Sequence, residues 1–172
     1  MRELADADRI RRFMVSLGAA AQSEGVCYLV GGATAVLLGW RATTIDVDIE
    51  LEPEHDDLLR ALPAIKEDLR VNVELASPRQ FIPLPGGWRD RSPSVVREGR
   101  LTFKHFDLYS QALAKLERGH ARDLEDIDAM RQSGLVDVEP LRAFFAEIEP
   151  HLYRFPAIDP ADFRRRVEEV EG

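Results

Sequence analysis

Two carboxylates, Asp46 and Asp48, stand two positions apart in Thr44-Ile45-Asp46-Val47-Asp48-Ile49-Glu50-Leu51-Glu52. Successive side chains on a strand alternate faces, so this spacing puts both on one face and turns Ile45, Val47 and Ile49 to the core. Acidic residues are poor strand formers, and like charges on one face repel. A divalent cation offsets that cost: Mg²⁺ takes one or two carboxylates and completes its shell with substrate phosphates. Upstream, Tyr28-Leu29-Val30-Gly31-Gly32 ends an apolar strand in two glycines, where backbone N–H groups can approach a phosphate without side-chain obstruction. Together the two features point to phosphate and metal chemistry. A strand with one solvated acidic face has the same alternation, which Glu50 and Glu52 continue, and a plain tight turn explains two glycines; it is their coupling that favours a site.

A strand ending in Gly-Gly, a short helix and an Asp-x-Asp strand resembles the signature of DNA polymerase β-like nucleotidyltransferases. The form present, Gly31-Gly32 followed by Arg41-Ala42-Thr43-Thr44-Ile45-Asp46-Val47-Asp48, is most similar to the branch holding minimal nucleotidyltransferases and AbiEii-type toxins. Lys115-Leu116-Glu117-Arg118 and Arg122-Asp123-Leu124-Glu125-Asp126 resemble that branch's later motifs, so the likeness runs from Tyr28 to Met130. It implies transfer of a nucleoside monophosphate from an NTP to an acceptor hydroxyl, a tRNA 3′ end or a protein, by an enzyme of the toxin kind with a cognate antitoxin. Mg²⁺, two ions during turnover, would be held by Asp46, Asp48 and a third carboxylate from a neighbouring strand; Glu74 is the acidic candidate there.

The same resemblance gives Gly31, Gly32, Thr34, Arg41 and Thr43 to the nucleotide, and Lys115 and Asp123 to catalysis. Lys115 would hold phosphates; Asp123 would face the active site and orient Lys115 or the acceptor, with Asp126 one turn on sharing its face. Gly32 departs from the superfamily's common Gly-Ser and removes a hydroxyl, although Thr34 is near. Plainer readings stand beside each: a wet-face Glu74, a salt-bridging Arg41, a solvated Lys115, an Asp123 complementing a helix dipole. The alternatives are a small-molecule nucleotidyltransferase of the aminoglycoside-modifying kind and a catalytically degenerate fold used as a binding module.

Composition sets bounds. A chain of 172 residues with 45 % hydrophobic and 31 % charged residues has the size and balance of one globular domain with a real core. Cys27 stands alone, which excludes an internal disulfide and fits a reducing compartment. Arg2, Glu3, Asp6, Asp8 and Arg9 do not suit a secretion signal and no apolar run reaches membrane-spanning length, so the expectation is a cytoplasmic protein without a membrane partner. A net charge of −8 argues against a general nucleic-acid coat. Locally, Arg79, Arg89, Arg91, Arg97, Arg100 and Lys104 outnumber Asp90 and Glu98, a balance suited to a triphosphate, an RNA end or a solvated loop. The histidines are too scattered for a zinc site.

The positioning elements follow from periodicity. Apolar residues at helical spacing predict a helix over 4–24 stopped by Gly25, then a strand over 26–30, a short helix over 33–38 and the acidic strand over 43–51. A helix from Pro53-Glu54 to Leu69 is interrupted at Pro63, and Val71, Val73 and Leu75 mark the next strand. Proline and glycine over 77–92 predict a long functional loop, followed by a hairpin through Glu98-Gly99-Arg100. Helices over 108–118, 123–133, 139–148 and 160–170, the last capped by Asp159, complete the chain. The expectation is an α+β fold: a small mixed sheet flanked by helices over 1–106, and a helical C-terminal part over 107–172 packed on it as one compact domain.

Overall fold

The apolar strand Gly25–Val30 (β1) is the middle of a mixed five-stranded sheet ordered β3-β2-β1-β5-β4. A computed structural model describes residues 3–172, so Arg2 of the N-terminal charge pattern lies outside the described residues. β1 pairs antiparallel with Asp46–Glu52 (β2) and parallel with Leu101–His105 (β5). Asn72–Leu75 (β3) adds parallel to β2, and Ser94–Glu98 (β4) adds antiparallel to β5 across the expected hairpin. The chain divides into two compact units: Met1–Ser77 with Pro93–Phe106, and Pro78–Ser92 with Asp107–Gly172.

In the first unit, helix Ala7–Ala20 (α1) starts where Asp6 accepts a hydrogen bond from the Arg9 N–H at 2.8 Å. It begins later than its periodicity predicts because Ala5 pairs with Thr44 as an isolated bridge, and it ends at an extended Ala21. Its Ile10, Phe13, Met14 and Leu17 join Cys27, Leu29, Val47, Ile49 and Phe103 in one buried cluster. Burial pushes the Cys27 thiol pKa well up, so that thiol stays protonated. Helix Gly32–Leu38 (α2) follows β1 directly and closes on a left-handed Gly39, whose N–H bonds Ala35 O.

Two expectations for this unit are corrected. Ile45 is not in the core: β2 begins at Asp46 and Ile45 is 64 % exposed, because the Ala5–Thr44 bridge places the turn into the strand one residue before it. Pro63 does not interrupt the next helix, Asp56–Asp68 (α3). It lies on the exposed side, while Leu58, Leu62 and Ile65 bury the opposite stripe and carry the helix past the lost N–H. Val71 and Val73 are buried as expected, but Leu75, at the end of β3, is half-exposed.

The second unit is helical. Its first segment, the expected loop, contains a 3₁₀ turn at Pro78–Gln80 and a single helical turn, Trp88–Arg91 (α4). Asp107 caps Leu108–Arg118 (α5) by accepting from the Tyr109 and Ser110 N–H groups, and Arg91 grips the same carboxylate through Nε and Nη2 at 3.2 and 3.0 Å. Ala121–Gln132 (α6), Val138–Ile148 (α7) and Pro160–Glu169 (α8) follow, α8 capped by Asp159 as its sequence predicts. Phe145 and Phe163 pack edge to face between α7 and α8. The architecture is α+β, a mixed sheet with helices and a helical C-terminal part.

Candidate active site

Strand register builds the site. Val30, the last residue of β1, lies beside Asp48, and on the other side of β2 Asp48 neighbours Glu74 and Asp46 neighbours Asn72. Val47, Ile49 and Leu51 are buried while Asp46, Asp48, Glu50 and Glu52 are half-buried, so the carboxylates share one face as the alternation requires. Gly31 leaves β1 with φ +62° and ψ −123°, a conformation that only glycine adopts easily. A Cβ built there would lie 3.3 Å from Asp48 Oδ2. The bare backbone of the turn and the second aspartate therefore border one space.

Neighbours fix the carboxylates differently. The Asn72 amide donates to Asp46 Oδ1 at 2.5 Å and to Glu74 Oε1 at 3.1 Å, linking two of the three expected carboxylates through a residue that sequence reading passes over. Ser77 donates to Glu50 at 2.6 Å, so Glu50 has its own local partner away from the turn. Among the described residues, no three His, Cys, Asp or Glu side chains gather as a metal cage.

Thr34 turns inward. Fully buried, its hydroxyl donates to Leu29 O at 3.1 Å and lies 3.0 Å from His105 Nδ1, which ties α2 to the ends of β1 and β5. Since the hydroxyl proton goes to Leu29, the His105 tautomer that fits carries its proton on Nδ1. Burial lowers the His105 pKa to about 4, so the ring is neutral near pH 7. The residue packed on the Gly-Gly turn is Thr44 instead: a Cβ at Gly32 would collide with its hydroxyl and come within 2.6 Å of its Cβ. Gly32 therefore leaves no room for a side chain. Arg41 is partly exposed, with its N–H on Ala35 O at 3.3 Å, and Thr43 is half-buried beside it.

The later motif lies in the second unit. Lys115 on α5 is buried and donates to Asp126 Oδ2 of α6 at 2.8 Å, an ion pair nearly without solvent. It is Asp126, not Asp123, that holds the ammonium. Asp123 accepts from Arg118 Nε and Nη2, at 2.8 and 2.5 Å, and from the His120 N–H at 3.2 Å in a capping box that starts α6 two residues earlier than expected. Burial alone would raise the Asp123 pKa, but the Arg118 guanidinium, with the Lys115 charge and the His120 N–H, brings it below the usual carboxylate range.

A mixed sheet whose second strand sets two carboxylates against a side-chain-free turn, with helices around it and after it, defines a small nucleotidyltransferase-like fold. A family model covers residues 8–171, and the chain belongs to that family, described as a nucleotidyltransferase of unknown function (DUF6036). No curated protein and no solved structure matches it. No helix among the described residues is long and apolar enough to cross a membrane.

Proposed function

We propose that the protein transfers a nucleoside monophosphate from an NTP to an acceptor hydroxyl in a Mg²⁺-dependent reaction. The observation that carries this reading is the position of Asp48 Oδ2 next to the side-chain-free face of Gly31, so that phosphate and metal ligands would share one space. The donor set fits Mg²⁺. Two same-face carboxylates suit an ion that takes its remaining oxygens from phosphates and water. Asp46 and Asp48 would hold it, with Glu74, which accepts from the same Asn72 amide as Asp46, as the third carboxylate.

When bound, Mg²⁺ would favour the acceptor alkoxide and neutralise the leaving pyrophosphate. In the reaction the acceptor oxygen bonds to the α-phosphorus, the bond from that phosphorus to the bridging oxygen breaks, and the hydroxyl proton passes to solvent. Gly31 and Gly32 bring backbone N–H groups to the phosphates, while Arg41 and Thr43 flank the entry to β2 and bind the nucleotide there. On the resemblance to the toxin-like branch, Lys115 would serve the phosphates and Asp123 the acceptor, and the acceptor would be a tRNA 3′ end or a protein hydroxyl in the cytoplasm, with a cognate antitoxin. The test is incubation with each labelled NTP, Mg²⁺ and bulk RNA or lysate. Transfer of label that Asp46→Ala and Asp48→Ala abolish is expected; no transfer from any NTP, or near-normal transfer by either variant, would contradict the reading.

A further inference from the structure

Thr44 is tied to the turn and to the acidic strand at once. Its side chain occupies the space that a side chain at position 32 would fill, so it is pressed against the bare Gly32 backbone. Its hydroxyl donates to the Asp46 carbonyl at 3.0 Å. Its own backbone is clamped on both sides, Ala5 N–H to Thr44 O at 2.8 Å and Thr44 N–H to Ala5 O at 2.9 Å. The start of α2 and the approach to β2 therefore meet through one side chain, next to the turn where Gly31 faces Asp48.

We infer that Thr44 is a positioning residue that sets the separation of the Gly31-Gly32 turn from the Asp46 and Asp48 carboxylates; this rests on the nucleotidyltransferase reading above. The Cβ and hydroxyl stand closest to Gly32 and set how near it comes, and the same hydroxyl fixes the rotation of the first strand peptide through the Asp46 carbonyl. A hydroxyl has one proton to give, and here it is given to that carbonyl. Removing it while keeping the shape frees the start of β2 to rotate, so the carboxylates lose their register with the turn although the core beneath, Val47 and Ile49, is untouched. A group that only packed would not distinguish valine from threonine in ligand binding.

Calorimetric titration with Mg²⁺ plus inorganic tripolyphosphate reads the geometry of turn and carboxylates without needing the base or the acceptor. Thr44→Val is expected to weaken binding about tenfold or more, the scale of one well-placed hydrogen bond, with a ligand-free melting temperature within about 4 °C of wild type. Thr44→Ser, which keeps the hydroxyl, is expected to bind within about threefold of wild type. If Thr44→Val does not fold, Thr44→Ser against Thr44→Ala carries the same comparison of hydroxyl present and absent. Wild-type binding that Thr44→Val retains, or that Thr44→Ser loses as fully as Thr44→Val, overturns this inference alone; absence of wild-type binding overturns the nucleotidyltransferase reading and this inference with it.

Discussion

At residue scale, two positions separate packing from chemistry. Gly31 holds φ +62° with Asp48 Oδ2 at its side, so Gly31→Ala brings backbone strain of about 1–3 kcal/mol together with a methyl against a carboxylate. Chemical denaturation should show that loss, and Mg²⁺-NTP binding should fall with it; a variant of native stability would mean that the turn is not as described. Lys115 is harder to read by truncation, because removing it strands Asp126 as a buried charge, typically at about 3–5 kcal/mol. Lys115→Met should therefore destabilise strongly, while Lys115→Met with Asp126→Leu, an apolar pair of similar bulk, should recover most of that loss. If Lys115 serves the phosphates, the double variant stays about 10²-fold or more below wild type in transfer despite its recovered stability. Recovery of activity along with stability would leave Lys115 a structural residue.

At element scale, α2 is fastened from below by the Leu29–Thr34–His105 chain, and this link is sensitive to acid. The folded-state pKa of His105, about 4, lies below the ordinary 6.5, so the unfolded chain takes up the proton first. The contribution is complete above about pH 6.5, declines as pH falls, and is exhausted near pH 4, an effect on the order of 3 kcal/mol. Denaturation midpoints between pH 7 and 4 should fall more steeply for wild type than for His105→Gln; parallel profiles would remove His105 from this role. Much at this scale is legible in the chain. Alternation in β2 is local and marks Val47 and Ile49 for the core with Asp46 and Asp48 opposite, and Asp159 before Pro160 announces a helix start. What the chain hides depends on pairing between distant segments. Asn72 meets Asp46 only through the β2–β3 register, Thr44 meets Gly32 only after β1 and β2 pair, and Ile45 is exposed because Ala5 bridges Thr44. Pro63 misleads for a related reason, since tertiary burial of Leu62 and Ile65 outweighs one lost hydrogen bond.

At the scale of the whole molecule, the family match spans nearly the full chain, and the carboxylates of β2 and the charged residues of α5 and α6 all lie within it. The fold's net charge of −8 gives no general attraction for nucleic acid, which places the burden of substrate recognition on local groups. The central claim, that Asp46 and Asp48 form a Mg²⁺-nucleotide site beside the glycine turn, has a test independent of the acceptor. Thermal melts of wild type and Asp48→Asn, at matched ionic strength and with each NTP, compare ligand-free and Mg²⁺-NTP states. Clustered carboxylates repel without a cation, so Asp48→Asn should leave the ligand-free melting temperature unchanged or raised. Wild type should gain about 2.7 kcal/mol with free ligand near 100 times its dissociation constant, and Asp48→Asn should lose that gain. Equal stabilisation of both proteins by Mg²⁺-NTP would contradict the account.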